Sequence, residues 1–269
     1  NKAIVVLIGN NGTILTKHTG DLIESEFVEK LTDENKPNLT SFFTKAKGYH
    51  VYIMLDTIDQ TYKKKTYPMM RKFDLERIAK RDLASDGDKE GLKNYILLKN
   101  HKKSNPLKKN SLKKVEASKS DCLFITSSKS ENISMWLNFI YELPNRLIGI
   151  YMLPVECYNF FIKITKLDPK TSSPSVLKLK ENNIFCLVIQ TKTGGARQIV
   201  FSDSSIVFTR VVNYNFEEPN FVEKYSQDIY STFEYLKRLY IDLSIQEFEV
   251  INILSEKASD EIMRTKNIE

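Results

Sequence analysis

A chain of 269 residues is long enough to bury a full core, as one large domain or as two linked lobes. Its 40 lysines and arginines against 34 acids leave a formal charge of +6, but eight lysines crowd into residues 99–119 beside the single acid Glu116, with no arginine and no aromatic; this argues against a single-strand nucleic-acid surface, which interleaves its charge with stacking rings and guanidinium groups. Cys122, Cys157 and Cys186 are dispersed in apolar neighbourhoods, and His18, His50 and His101 lack metal spacing, which argues against a disulfide scaffold and a metal centre.

Residues 3–9 (AIVVLIG), the turn Asn10-Asn11-Gly12 and the TILTKH after it read as a hairpin, because Asn-Gly favours the positive φ of a tight turn. YHVYIMLD (49–56) is a third strand, apolar nearly throughout and therefore expected to be buried on both faces. After Pro68, DLERIAKRDLAS sets Leu75, Ile78, Ala79 and Leu83 at helical spacing, with Asp74 as its cap. KNYILLKN and DCLFITSS are two more strands. The lysine-rich insertion between them, about 99–120, reads as a solvated connector. Contact with an anionic membrane surface is its second reading, since a polybasic segment gains about 1 kcal/mol per charge there.

A helix over about 132–145 lines up Ile133, Trp136, Leu137, Ile140 and Leu143 on one apolar face, so Trp136 is read as core. RLIGIYML then reads as a strand and PVECYNFFIKI as a helix with proline in its first turn. This most apolar region, residues 146–164, is interrupted by Pro154 and Glu156, so it lacks the ~20 uninterrupted apolar residues needed to cross a bilayer. Three strands follow, NIFCLVIQT, ARQIVFSD and SIVFTRVV, joined by the turns Thr193-Gly194-Gly195 and Asp203-Ser204-Ser205. A helix over about 220–240 spaces Tyr225, Ile229, Phe233, Leu236 and Tyr240 three or four apart, as core or as the subunit interface of a homodimer. EFEVINIL is a last strand before a polar helical tail. Each half thus runs from a strand meander into helix and strand alternation, which predicts an α/β protein with mixed sheets in two lobes, residues 1–130 and 131–269.

The run VYIMLDTIDQTYKKKTYP (51–68), continuing to DLERIAKRDL, resembles the apolar strand, Asp-Thr, Tyr, Pro, Asp and Arg-x-Leu progression of an actin-like, ribonuclease-H-like family. That family comprises the cytoplasmic inner-membrane platform proteins of bacterial type IV pili and type II secretion systems. MWLNFIYELPNRLIGIYMLPVECY resembles the family's Trp-containing helix, Gly-containing strand and Pro-initiated helix. Gly195-x-Arg197-Gln198, followed by Phe201, Phe208 and Arg210, is similar to its Gly-x-Arg-Gln … Phe-Ser-Arg hairpin. The resemblance implies a two-lobed scaffold on the cytoplasmic face of the inner membrane. Its partners would be membrane-anchored platform subunits and an assembly ATPase, with membrane association through a partner or a transmembrane segment outside this sequence.

ATP is the one cofactor the resemblance leaves open, because some such proteins bind it in the interlobe cleft. Actin-type sites place a carboxylate before each phosphate-gripping turn, since Mg²⁺ on phosphates needs hard oxygen ligands. Here Asn10 stands where an aspartate is expected before Gly12 and Thr13, and no carboxylate accompanies Lys192, Gly194 and Gly195 at the second turn. The backbone amides of these turns and the Lys192 charge could cradle an anion. The competing reading is that both are hairpin turns needing positive φ. No hydrolysis is expected, and the alternative of a nucleotide-binding actin-like ATPase or sugar-kinase-like phosphotransferase lacks a cleft base. A ribonuclease-H nuclease would need clustered carboxylates, and residues 3–9 carry none.

Asp56 and Asp59 could form a carboxylate pair, but the preferred reading has Asp56 bonding turn amides while Thr57 and Tyr62 fix the corner. Arg197 and Arg210 lie on neighbouring strands, where they would clamp an anionic peptide or pair with acids across strands. The resemblance implies that a short tail of a membrane subunit docks on the first lobe. Arg71, Arg77, Lys80 and Arg81 would form that surface, with solvated positions on an amphipathic helix as the competing reading.

Overall fold

The alternation of KAIVVLIG makes β1 (Lys2–Gly9) the centre of a five-stranded sheet. In this computed structural model, which describes residues 2–85, 91–98, 119–165, 184–202, 205–212, 214, 218, 220–239 and 248–266, β1 pairs antiparallel with β2 (Thr13–Thr19) and parallel with β4 (His50–Asp56). β3 (Leu22–Val28) continues the meander outside β2, and β8 (Leu147–Met152) runs parallel to β4 at the far edge, giving the order β3-β2-β1-β4-β8. Ile4, Val6, Ile8, Val51, Ile53 and Leu55 point to one face. There they bury against Leu39 and Phe43 of α1 (Lys36–Lys45) and against Ile133, Trp136, Leu137 and Ile140 of α3 (Glu131–Tyr141). Each such side chain contributes roughly 1.5–3 kcal/mol when fully buried. The other face differs from expectation: Val5, Leu7, Tyr52 and Met54 are only half-buried. Among the described residues α1 and α3 both lie on the first side, so the apolar character of β4 on both faces is met by full burial on one.

The division at residue 130 is also corrected. α3 and β8 belong to the first lobe, because the apolar face of α3 is part of its core and β8 pairs with β4. What interrupts that lobe is an inserted subdomain, in which β5 (Gln60–Pro68), β7 (Lys119–Ser127) and β6 (Leu92–Leu97) form a small antiparallel sheet under α2 (Lys72–Ser85). Leu75, Ala79 and Leu83 of α2 bury against Cys122 and Phe124. Asp74 does not cap this helix, which begins two residues earlier; its carboxylate sits in the first turn, 3.7 Å from Arg77. α3 is capped by Ser130, whose Oγ accepts from Ile133 N–H at 3.3 Å. Of the lysine-rich insertion, residues 99–118 lie outside the described residues.

α4 (Leu153–Thr165) leads into the second lobe, whose sheet has the order β11-β10-β9-β12. β9 (Ile184–Thr191), β10 (Gly195–Ser202) and β11 (Ile206–Val212) form an antiparallel meander, and β12 (Phe248–Ile253) runs parallel to β9. This repeats β3-β2-β1-β4 strand for strand. Here both faces are covered: α4 packs Phe161 against Phe185 and Phe201, and α5 (Phe221–Leu239) with α6 (Glu256–Lys266) packs Phe221, Tyr225, Leu236 and Ile262 on the other side. Tyr225, Phe233 and Leu236 are buried as the stripe predicts, while Tyr240 lies outside the described residues. The repeat has a consequence for the site: the β1–β2 and β9–β10 turns are equivalent, and they face each other.

Candidate functional site

The first turn is built by Gly9 N–H donating to Gly12 C=O at 2.9 Å, with Gly12 at φ 145°. The second is built by Gly194 N–H donating to Thr191 Oγ1 at 3.0 Å, with Gly195 at φ 80°. Between them there is direct contact: Asn11 N–H donates to Thr193 C=O at 2.7 Å. A Cβ on Gly9 would stand 2.4 Å from that same carbonyl oxygen, so only glycine permits this approach.

The second turn does hold an anion, and the anion belongs to the protein. Asp56, at the end of β4 and fully buried, accepts from Thr191 Oγ1 at 2.6 Å and Thr193 Oγ1 at 3.2 Å on one oxygen and from Arg197 Nε at 2.5 Å on the other. A Cβ on Gly194 would lie 2.6 Å from the same carboxylate. Arg197 completes its donor set with Thr57 C=O at 2.7 Å and Thr209 Oγ1 at 3.1 Å. Burial of a charged pair is tolerated only when each partner is hydrogen-bonded in this way. Burial pushes the Cys157 thiol up to about 12 and raises the Tyr62 phenol well above its ordinary range.

These contacts place each predicted residue. Asn10 is exposed and its Oδ1 accepts from Ile58 N–H at 3.1 Å, Gly12 packs on the Phe27 ring, and Thr13 is buried. Lys192 is exposed at the tip of the second turn, Gly194 lies against the Asp56 carboxylate of the first lobe, and Gly195 supplies the positive φ of the turn. An open cavity of about 510 Å³ lies beside the first turn, lined by Asn10, Asn11, Lys30 and Met135 together with the acids Glu29 and Glu131, which repel phosphate. Among the described residues no cluster of three or more acids, histidines or cysteines could hold a metal ion.

Two readings are corrected. Asp56 does not pair with Asp59, which is exposed, and its carboxylate reaches the second lobe rather than the local turn. Arg197 and Arg210 do not form a peptide clamp; each pairs with an acid, though neither acid lies on the neighbouring strand. Arg197 is buried on Asp56, while Arg210 lies 3.4 Å from Asp228 Oδ1 and donates to Gln198 Oε1 at 2.9 Å and to Asp228 C=O at 2.8 Å. Gln198 is itself buried and also accepts from Thr232 Oγ1 at 2.7 Å. One sequence signal pointed to the clasp: Arg197 shares a strand face with Ile199 and Phe201, and an arginine in a buried apolar row needs an acid.

Arg71, Arg77, Lys80 and Arg81 are all exposed, with Arg77 and Arg81 near Asp74 and Asp82 at 3.7 and 3.6 Å. Such surface pairs contribute at most about 1 kcal/mol. A residue the sequence reading passed over joins them: Phe73, one turn before Arg77, is 73% exposed.

No protein-family model matches the sequence, and no curated protein matches it. Among solved structures, the chain is similar to a PilM–PilN type IV pilus biogenesis complex at 11% identity and TM-score 0.58, covering 97% of this chain and 86% of that one. Lesser likenesses are to a Bacteroides thetaiotaomicron protein with actin-like ATPase fold and unknown function (14% identity, TM-score 0.45, 99% and 87% coverage) and to the cytoplasmic domain of EpsL, an inner-membrane component of the type II secretion system of Vibrio cholerae (10%, 0.46, 95% and 84%). The fold is actin-like, with two lobes built on a repeated mixed sheet.

Proposed function

We propose that this chain is a non-enzymatic scaffold subunit of a type IV pilus or type II secretion platform, acting by protein contacts on the cytoplasmic face of the inner membrane. One observation carries the reading. The turns that would grip phosphates in an actin-like cleft grip each other, and the hydroxyls and guanidinium of the second turn are satisfied by Asp56. A nucleotide would have to break a buried, hydrogen-bonded ion pair to enter between them. Function then resides in surfaces. The exposed Arg77, Lys80 and Arg81 beside Phe73 suit an acidic or polar tail of a membrane-anchored subunit, joining charge complementarity to an apolar anchor. No helix among the described residues is long and apolar enough to cross a membrane.

The test is turnover and binding. The purified chain with Mg²⁺ and ATP is expected to hydrolyse nothing above background and to show no saturable ATP binding. Turnover that disappears when Thr13 is changed to Ala would install the ATPase reading instead.

A further inference from the structure

We propose that the outer edge of β3 is a docking site for an extended peptide that adds a sixth strand to the first-lobe sheet. The peptide carries basic residues at alternate positions and apolar residues between them. The edge is open: among the described residues no strand pairs the outer side of β3, and every residue of the strand except Val28 is exposed. Proteins blunt such edges with charged side chains, above all lysine, and with proline, bulges or short strands, because unpaired N–H and C=O groups recruit other chains. Of these β3 carries only the charges of Glu24 and Glu26, which oppose an acidic strand and admit a basic one. LIESEFV contains neither lysine nor proline and its seven-pair register with β2 is unbroken. It also exposes large apolar groups, Leu22 at 58%, Ile23 at 60% and Phe27 at 46%.

Charge names the occupant. In a chain of net charge +6, residues 21–34 hold six acids against the single base Lys30. Two of those acids, Glu24 and Glu26, share one face of β3, opposite Lys17 and Leu15. Glu24 pairs with Lys17 on its inner side at 2.5 Å and remains half exposed, while Glu26 has no base opposite it on β2. Ile23 and Phe27 occupy the other face, which continues into the half-buried Val5, Leu7, Tyr52 and Met54 of the sheet. An incoming strand with basic residues over Glu24 and Glu26 and apolar residues in line with Ile23 and Phe27 matches both faces, and side chains directly opposite across strands set such preferences. A second copy of this chain does not match. Antiparallel self-pairing centred on Ser25 sets Glu24 opposite the partner's Glu26, and like charges across strands are destabilising. The edge belongs to a different sheet from the α2 surface, so this site stands or falls apart from the platform reading.

The probe is an acetylated nine-residue peptide of alternating lysine and valine, titrated onto the full chain at low and moderate salt, with hydrogen exchange as the reporter of place. Binding is expected with new amide protection confined to β3. The Glu24→Gln/Glu26→Gln variant, whose changes are on exposed side chains, is expected to bind about tenfold more weakly, as two opposite-charge pairs of up to about 1 kcal/mol each imply. A peptide of the same composition with its lysines in one block, and one N-methylated at alternate amides, should both bind poorly. Equal binding of either control would mean charge attraction without strand addition and would overturn the proposal. So would the absence of binding, protection located on another element, or self-association of the chain through β3.

Discussion

Asp56 and Arg197, 141 residues apart in the chain, meet as a buried ion pair between the two lobes, with Nε 2.5 Å from Oδ1. Removing one partner of such a pair strands the other. Asp56→Asn is expected to lower unfolding stability by about 3–5 kcal/mol, because the Arg197 charge is left buried without an acid. Thr191→Val, which deletes one donor to the carboxylate, should cost about 1.5–3 kcal/mol. The joint Asp56→Leu/Arg197→Met replacement should be milder than Asp56→Asn. Urea denaturation of the wild type and these three variants measures this, and a double variant as unstable as Asp56→Asn or less stable would mean that the pair is not coupled in this way.

Gly9 and Gly20 separate close approach from backbone conformation. A Cβ at Gly9 would collide with the Thr193 carbonyl at 2.4 Å, whereas Gly20, at φ 61°, has open space around it. Gly9→Ala is expected to force the turns apart and to cost about 1–3 kcal/mol as overpacking does. Gly20→Ala should cost only the left-handed backbone term of about 1–2 kcal/mol. Hydrogen exchange distinguishes them further: Gly9→Ala should expose the Asn11 amide, and Gly20→Ala should not.

The thiols give a pH dependence with a defined sign. Burial raises Cys122, and pushes Cys157 and Cys186 up to about 12. The folded chain therefore keeps these protons where the unfolded chain, with thiols near 8.5, releases them. Their contribution is fully present below about pH 8 and is lost as pH rises from there toward 12. All three cysteines should react slowly with a thiol reagent at pH 8 and rapidly in denaturant. A fast-reacting thiol in the native chain would contradict the burial of that residue.

On α2, Arg77→Glu/Arg81→Glu and Phe73→Ser should leave the melting temperature nearly unchanged, since these side chains are exposed. Capture of membrane-anchored platform subunits by the intact domain should fall with either variant. Unchanged capture by both would remove this helix face from the partner site.

The elements that could be read directly are those whose burial is periodic along their own length. β1 and β2, α3, and the β9–β11 meander follow from alternating or helically spaced apolar residues around turns rich in asparagine or glycine. β5 escaped the reading because its covered residues, Gln60, Tyr62, Lys65 and Tyr67, keep no single strand period and are interspersed with exposed lysines and threonines, a pattern also typical of loops. β3 escaped it because an open edge requires no apolar alternation at all. The lobe boundary at 130 was misplaced for a related reason: where α3 packs depends on which sheet β8 joins, and local sequence does not encode that.

By itself, then, the sequence determined the types of most elements, α1, β3 and β5 excepted, together with the two-lobed repeat and the missing carboxylates at both turns, because each is a property of a short run of residues. Only the tertiary structure decided what the turns do. Asp56 looked like a local turn aspartate, and Arg197 like half of a cross-strand pair. Which acid an arginine finds, and whether two glycine turns face a cleft or each other, depends on the approach of segments 141 residues apart. That approach is set by the packing of whole lobes, through α4, the contact of β11 with β5 and the cluster of Leu123, Ile125, Val155 and Ile206, and no local pattern carries it.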